Sequence, residues 1–257
     1  MISDRVRAII SDLDKTLLRT DQSLSSRVLT ALEGCRSAGI LIGIATARSE
    51  IAASSYIGQV NPDFLVVNGG ALAKSKNEVI YRKPLSAKIT NSLVDDMLKI
   101  EGIAKITVET DRGYYANFHY TEFPAYQHAQ YNDFGKPIDA EAYKIVVECS
   151  DDVILGELAA KYGDCSVMHF SGENWHGFAH RNATKWAAIA VLLRHLELSP
   201  RNVCSFGDDH NDVEMIQESG VGVAVSNGID EIKGKAQYVT ECNDEDGVAS
   251  FIEKYLL

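Results

Sequence analysis

The sequence predicts an α/β fold, in which a doubly wound parallel sheet is interrupted by an inserted α+β domain. Within the first 70 residues, short apolar runs alternate with helical stripes in a β-α-β-α-β order. Between residues 84 and 181, neighbouring strands are joined by short turns, which is typical of an antiparallel sheet with helices on one face. After residue 182 the alternation resumes. We therefore expect residues 1–83 and 182–257 to form one domain and residues 84–181 to form the insert.

The strands of the first domain are expected to be buried on both faces, because their apolar runs lack a regular polar alternation. They are predicted at residues 6–11, 40–46, 64–67, 203–206, 221–225 and 238–240. Helices are predicted at residues 25–37, 49–56, 184–196, 212–219, 229–235 and 247–255. In the first of these helices, apolar side chains recur at Val28, Leu29, Leu32 and Cys35, and Gly39 follows as a stop signal.

The insert is predicted to contain two helices, at residues 87–100 and 153–162. Its strands are predicted on either side of a turn at residues 111–113, and then at residues 143–149, 166–170 and 175–180. Residues 114–134 are rich in aromatic side chains, among them Tyr115, Phe118, Tyr120, Phe123 and Tyr126. A sugar or another polar ring could stack on them, although packing inside the protein is the simpler explanation.

The composition excludes several classes of function. The formal net charge of −11 argues against a nucleic-acid binder, which needs clustered Lys and Arg, and against docking on an anionic membrane. It does not exclude a small anionic substrate, because a metal ion and a few local cations can reverse the sign of the potential inside one pocket. The five cysteines are far apart and form no C-x-x-C pair, which indicates reduced thiols. With no signal-peptide pattern and no long apolar run, we expect a cytoplasmic protein.

Polar side chains that could bind a metal ion or a phosphate follow the predicted strands of the first domain or begin the next helix. Because ligands bind at the carboxyl ends of the strands in a doubly wound sheet, we expect these side chains to converge at one edge. They are Asp12 and Asp14, Thr46 and Arg48, Lys185, and Asp208, Asp209 and Asp212. Each could be an ordinary turn or cap residue. Their common location instead favours a site where the carboxylates bind a hard metal cation and the positively charged side chains bind a phosphate.

Four segments resemble the four motifs of the haloacid dehalogenase (HAD) superfamily. They are Asp12-Leu13-Asp14-Lys15-Thr16-Leu17, Ala45-Thr46-Ala47-Arg48, Lys185, and Gly207-Asp208-Asp209-His210-Asn211-Asp212. The insert after Asn68-Gly69-Gly70 resembles the class IIB members, the Cof-type phosphatases, which implies a Rossmann-like core with an α+β cap. The resemblance covers residues 1–83 and 182–257. Lys15 and Ala47 stand where the family often has glycine.

The resemblance implies a mechanism with an aspartyl-phosphate intermediate. Asp12 would be the nucleophile, and Asp14 would protonate the leaving oxygen and then accept a proton from water. Mg2+ would be held by the Asp12 carboxylate, the Asp14 main-chain carbonyl and Asp208. Asp212 and Asp209 would orient the water molecules bound to the metal.

The resemblance also assigns the residues that bind the phosphate. Thr46 and Lys185 would contact the transferring phosphoryl oxygens. The main-chain amides of Leu13 and Ala47 and the Asn211 side chain would assist them. Arg48 would lie nearby, and the sequence leaves open whether it touches substrate or braces the site. The insert would act as a cap that excludes water and recognises the leaving group.

The sequence therefore predicts a Mg2+-dependent phosphatase for a small phosphorylated metabolite, with sugar phosphates as the leading class and phosphorylated cofactors next. Two alternatives stay open: a sugar phosphomutase or phosphotransferase using the same Asp12, and a metabolite sensor without catalysis. The intact set of acidic, hydroxyl and lysine residues speaks against the sensor. A signalling receiver domain is excluded, because the third strand ends in Asn68-Gly69-Gly70 without a carboxylate. The sequence does not determine the oligomeric state.

Overall fold

The computed structural model of the chain describes residues 5–119, 128–170 and 174–257. By its internal contacts the chain divides into two units. The core unit comprises Met1–Arg82 and Thr184–Leu257, and the inserted unit comprises Lys83–Ala183. Strands and helices are numbered along the whole chain.

The core unit is built on one eight-stranded sheet. Its strands are β1 (Ala8–Ser11), β2 (Leu41–Ala45), β3 (Phe64–Val67), β4 (Leu72–Ser75), β5 (Glu78–Arg82), β12 (Val203–Gly207), β13 (Val221–Val225) and β14 (Tyr238–Thr240). Their order across the sheet is β14-β13-β12-β1-β2-β3-β4-β5. The strands from β14 to β3 pair in parallel, as the sequence predicts. They are almost entirely buried, except at the edge strand β14, which explains their continuous apolar runs.

Beyond its predicted parallel strands, the sheet contains two antiparallel strands that the sequence prediction did not include. Strands β4 and β5 form an antiparallel hairpin that extends the sheet beyond β3. Residues 72–82 carry no clear strand pattern, because β5 is an edge strand with no buried residue and β4 buries only its first two. A strand at the edge of a sheet needs fewer apolar side chains than a central one, so its sequence signal is weak.

Six α-helices belong to the core unit within the part of the chain that the structure describes. They are α1 (Ser26–Ser37), α2 (Ser54–Val60), α5 (Lys185–His195), α6 (Val213–Glu218), α7 (Asp230–Lys235) and α8 (Gly247–Tyr255). Helix α2 begins at Ser54 and not at the predicted residue 49, because residues 50–53 form turns. The hydroxyl of Ser49 accepts a hydrogen bond from the Ala52 amide (3.2 Å), a local bond that stabilises a turn there.

The inserted unit has a separate six-stranded sheet and, among the described residues, two α-helices. The strands are β6 (Ile106–Thr110), β7 (Tyr114–Ala116), β8 (Gln130–Tyr131), β9 (Ala142–Glu148), β10 (Cys165–His169) and β11 (Trp175–His180), and the helices are α3 (Ala87–Met97) and α4 (Asp152–Lys161). The order across this sheet is β10-β11-β9-β6-β7-β8. Side chains of both helices pack with the sheet in one hydrophobic core, which includes Leu93, Ile106, Ile145, Leu155 and Phe178. No described helix in either unit is long and apolar enough to cross a membrane.

Candidate active site

Neighbouring parallel strands of the core sheet end in the polar residues that the sequence singled out. Asp12 follows β1, Thr46 follows β2 and Asp208 follows β12. Since β1 lies between β2 and β12, the carboxyl ends of all three strands meet at one edge of the sheet. The Asp12 amide donates to the Phe206 carbonyl (3.0 Å), and the Thr46 amide donates to the Val66 carbonyl (2.9 Å). Hydrogen bonds to the neighbouring strands therefore fix the backbone of both residues.

Lys185 connects the Asp12 carboxylate to that of Asp212. It is the first residue of α5, it is almost fully buried, and its Nζ lies 2.7 Å from Asp12 Oδ1 and 2.7 Å from Asp212 Oδ1. The helix starts here because the Thr184 hydroxyl accepts a hydrogen bond from the Ala187 amide (3.1 Å). Gly70 allows this approach: its φ is +104°, and a Cβ there would lie 2.2 Å from the Thr184 carbonyl. The glycine therefore lets the loop after β3 pack directly against the start of α5.

The turn after β12 holds Asp208 and Asp212. Asp212 Oδ2 accepts hydrogen bonds from the amides of Asp208 (3.2 Å) and Asp209 (3.4 Å). Gly207 makes room for this turn, because a Cβ on it would lie 2.5 Å from Asp212 Cβ. The Asp209 carboxylate instead accepts a hydrogen bond from the amide of His210 (2.8 Å) and caps the turn.

The Thr16 hydroxyl donates to Asp208 Oδ1 over 2.6 Å. Thr16 belongs to the first motif, but sequence reasoning assigned it no role. The only signal was its place four residues after Asp12, on the turn that follows β1.

Electrostatics in this cluster favour a bound cation. The carboxylate oxygens of Asp12, Asp208 and Asp212 lie within 4.8 Å of one another, and all three residues are buried. Burial raises the pKa of Asp12 well above its ordinary value, against the opposing effect of Lys185. The pKa of Asp208 is raised to about 7, first by burial and then by the charge of Asp212. Burial alone would lower the pKa of Lys185, but the Asp12 and Asp212 carboxylates hold it above its usual range. One ammonium group does not balance three carboxylates, and an all-oxygen donor set suits a hard divalent cation.

Asp14 lies apart from the three clustered carboxylates and pairs with Arg48. The guanidinium donates two hydrogen bonds to the Asp14 carboxylate, from Nε (2.8 Å) and Nη2 (2.5 Å). The same guanidinium lies 5.1 Å from the ring centroid of Tyr56. The main-chain amide of Arg48 also donates a hydrogen bond to the Thr46 hydroxyl (3.1 Å). Because the Thr46 oxygen is the acceptor in this bond, its hydroxyl proton remains available for a second hydrogen bond. The structure thus pairs Arg48 with Asp14, and whether Arg48 also contacts substrate stays open.

The remaining predicted site residues lie in the same loops. Leu13 is buried directly after Asp12, Ala47 is half-buried after Thr46, and Asn211 is half-buried in the turn between Asp208 and Asp212. Lys15 is exposed and has a φ of +57°. Glycine adopts this backbone conformation at lower cost, which agrees with the glycine that the family often has at this position. Tyr120, Phe123 and Tyr126 of the predicted aromatic stretch lie outside the described residues, and the role of the insert as a cap stays a prediction.

Comparisons with known proteins show which family the chain belongs to. The family model for haloacid dehalogenase-like hydrolases matches residues 9–252. The chain is 26% identical to a 5-amino-6-(5-phospho-D-ribitylamino)uracil phosphatase of Bacillus subtilis, covering 98% of each chain. It is 27% identical to an HMP-PP phosphatase of Klebsiella pneumoniae, covering 95% of this chain and 94% of the relative.

A solved structure confirms the predicted fold class. The structure of a HAD subclass IIB sugar phosphatase superposes with a TM-score of 0.85 at 20% identity, covering 97% of this chain and 99% of that one. At this identity the similarity bears on the fold, while the family model and the curated relatives bear on the activity. The chain belongs to the haloacid dehalogenase-like hydrolase family, has the fold of its subclass IIB, and is a phosphoric monoester hydrolase.

Proposed function

We propose that the protein is a Mg2+-dependent phosphatase that hydrolyses a small phosphorylated metabolite, of the sugar or polyol phosphate class, through an aspartyl-phosphate on Asp12. The observation that carries this proposal is the buried cluster in which Lys185 bridges Asp12 and Asp212 beside Asp208. The named substrates of the relatives support the class: one carries a phosphoribityl chain, and the structurally similar enzyme is a sugar phosphatase.

Asp12 attacks the phosphorus in the first step. The bond from Lys185 fixes Oδ1, so we assign Oδ2 as the nucleophilic oxygen. A bond forms between Oδ2 and phosphorus as the bond from phosphorus to the leaving oxygen breaks. Lys185 and the Thr46 hydroxyl would stabilise the negative charge on the phosphoryl oxygens, assisted by the amides of Leu13 and Ala47 and by Asn211.

Asp14 moves the protons in both steps. It first gives a proton to the leaving oxygen of the metabolite. In the second step it accepts a proton from water, whose oxygen attacks the phosphorus and releases inorganic phosphate and free Asp12. The two hydrogen bonds from Arg48 would hold the Asp14 carboxylate in one orientation for both transfers.

The donor set fits Mg2+. Asp12, Asp208 and the Asp14 main-chain carbonyl would hold the ion, which when bound supplies positive charge next to the phosphoryl oxygens. Asp212 already accepts hydrogen bonds from two backbone amides and from Lys185, so we assign it to fixing these ligands and their water molecules. Asp209, which caps the turn, supports Asp212 from farther out.

The test is phosphate release from p-nitrophenyl phosphate and from a panel of sugar and polyol phosphates. Asp12→Asn keeps an oxygen that can accept from Lys185 but removes the nucleophilic charge. We expect release that requires Mg2+, that stops in EDTA, and that falls by at least about 10³-fold in the variant. Asp230→Asn, at a fully exposed carboxylate on α7, is the matched control and should behave as wild type.

Acid quenching during turnover with radiolabelled substrate provides a direct readout of the intermediate. Label should stay on the wild-type protein and be absent from Asp12→Asn. Unchanged turnover in Asp12→Asn would contradict the proposal. Isomerised product on addition of a bisphosphorylated sugar would instead identify a phosphomutase.

A further inference from the structure

The inserted unit contains a second cluster of metal-ligand side chains, formed by Asp152, His169 and His176. Strands β10 and β11 pair antiparallel with His169 opposite His176, which places both imidazoles on the same face of the sheet. Asp152 is the first residue of α4, which packs on that face. His176 Nε2 lies 2.7 Å from Asp152 Oδ1 and 2.8 Å from His169 Nδ1.

Hydrogen bonds alone do not satisfy this arrangement well. If His176 Nε2 carries a proton, that single hydrogen must serve both the Asp152 oxygen and the His169 nitrogen. If His169 carries the proton instead, the lone pair of His176 Nε2 faces a carboxylate oxygen at 2.7 Å with no hydrogen between them. A cation at the centre would satisfy the lone pairs of all three groups.

The burial of His176 is a second, independent indication. The residue is 3% exposed, and its Nδ1 has no hydrogen-bond partner among the described residues. Leaving a buried polar atom unpaired is unfavourable, so an apolar residue would pack here at lower cost. A metal bond at Nε2 would offset that cost.

The local structure leaves Asp152 available as a ligand. Asp151 caps α4, because its Oδ1 accepts from the amides of Val153 (3.0 Å) and Ile154 (3.1 Å). The Asp152 carboxylate is therefore not used by the helix end, and with 74% of its side chain exposed it gives an ion access from solvent.

We propose that Asp152, His169 and His176 bind a divalent first-row transition-metal ion of the zinc type. Two imidazoles and one carboxylate are a donor set that suits zinc and its neighbours, whereas Mg2+ prefers oxygen ligands only. Bonds to zinc of about 2.0–2.2 Å would place tetrahedral ligand atoms roughly 3.3 Å apart. Asp152 and His169 are exposed and can move outward by the few tenths of an ångström required, while His176 stays fixed in the core. The ion would tie the start of α4 to the β10–β11 hairpin.

The experiment titrates Zn2+ into full-length, EDTA-treated protein that has been dialysed into excess Mg2+, so that the carboxylate cluster of the core unit is already occupied. Calorimetry, or competition with a chromophoric chelator, should reveal one equivalent of Zn2+. Co2+ in its place should give visible absorption bands of a nitrogen-containing site. Asp152→Asn and His169→Gln change exposed side chains, so the fold should survive, and each should weaken Zn2+ binding by at least about tenfold.

The matched control is His195→Gln, at an exposed histidine on α5 of the core unit. Zn2+ should raise the thermal midpoint of the wild type and of this control, and should raise it less in the two ligand variants. Absence of Zn2+ binding in excess Mg2+ would overturn the proposal, as would equal binding in the wild type and all variants. Loss of the Zn2+ equivalent in Asp208→Asn, with Asp152→Asn unaffected, would place the ion in the core cluster and also overturn it.

Discussion

At the scale of single residues, Arg48 is the site residue whose role the sequence left open, and in the structure it pairs with Asp14. Two hydrogen bonds join them across 34 positions in the chain, and the carboxylate is the group we assign to proton transfer. A lysine at position 48 would keep the positive charge but could not form the bidentate pair of hydrogen bonds. Arg48 is therefore expected to act through Asp14, and its replacement should impair proton transfer more than substrate binding.

For Arg48→Lys we expect kcat to fall by roughly 10- to 100-fold with little change in KM, a part of the usual contribution of general acid–base catalysis. The measurement compares a sugar phosphate with 2,4-dinitrophenyl phosphate. Because the dinitrophenolate leaves without protonation, its kcat should fall less. A large rise in KM with kcat preserved would contradict this role and point to direct substrate contact by Arg48.

Asp208 makes stability depend on pH in the metal-free protein. Its pKa rises from 3.8 unfolded to about 7 folded, so between these values the folded state binds more protons than the unfolded state. The contribution of this group to the free energy of unfolding therefore falls as pH rises from about 4 to 7 and is constant above. Divalent metal, which binds the ionised carboxylate, should restore the lost stability at neutral pH.

The corresponding variant is Asp208→Asn, which still accepts the Thr16 hydrogen bond but cannot ionise. In EDTA, urea unfolding at pH 5, 6, 7 and 8 should show a smaller loss of stability in the variant than in wild type, by on the order of a few kcal/mol at most. Addition of Mg2+ at pH 8 should stabilise wild type and leave the variant nearly unchanged. Parallel curves for the two proteins in EDTA would contradict the assigned shift. Asp230→Asn, at an exposed carboxylate, controls for net charge.

At the scale of elements, the position of α5 depends on the loop that follows β3. Gly70 has a positive φ and no room for a side chain against Thr184, the residue just before Lys185. Any side chain at position 70 must push the start of α5 away from the sheet. The displacement would move the Lys185 ammonium relative to Asp12, so packing and catalysis are coupled at this point.

Gly70→Ala should lower the free energy of unfolding by about 1–3 kcal/mol and should also reduce kcat. Urea unfolding and steady-state kinetics measure the two effects. The matched control is Gly58→Ala, because Gly58 is exposed on α2 and a Cβ there meets nothing within 4 Å. That substitution should leave kcat unchanged and stabilise the protein by up to about 1 kcal/mol through helix propensity. A wild-type stability for Gly70→Ala would show that α5 does not depend on this close approach.

At the scale of the whole molecule, each unit has a hydrophobic core of its own. In the inserted unit, all buried residues of the hydrophobic core come from residues 85–178. In the core unit, the larger cluster of buried hydrophobic residues includes residues from both outer segments of the chain. A segment with its own sheet, helices and core meets the structural requirements of a folding domain. The two-domain organisation predicted from the sequence can therefore be tested directly.

We expect residues 83–183, expressed alone, to fold. The fragment should give a circular dichroism spectrum of mixed helix and sheet and should unfold cooperatively in urea. A second fragment that lacks residues 83–104, and with them α3, loses one of the two helices that cover the sheet and should not unfold cooperatively. Gradual unfolding of the complete fragment would mean that the inserted unit depends on the rest of the chain.

The sequence by itself determined the alternation of strands and helices in the core unit and the places where chemistry could occur. Strands such as Phe64–Val67 and Val221–Val225 agree with the prediction at both ends, because both faces are buried and the apolar runs are continuous. Asp12, Thr46 and Asp208 were found from their position after such strands. The roles assigned to them stay predictions until Asp12→Asn is measured.

Only the tertiary structure decided which of these side chains touch. The bond from Thr16 to Asp208 spans 192 positions, and the bond from Lys185 to Asp12 spans 173. The β4–β5 hairpin, the Arg48–Asp14 pair and the Asp152–His169–His176 cluster were likewise absent from the sequence prediction. The physical reason is that periodicity and capping act over a few residues, whereas a contact between distant side chains depends on where the folded chain returns.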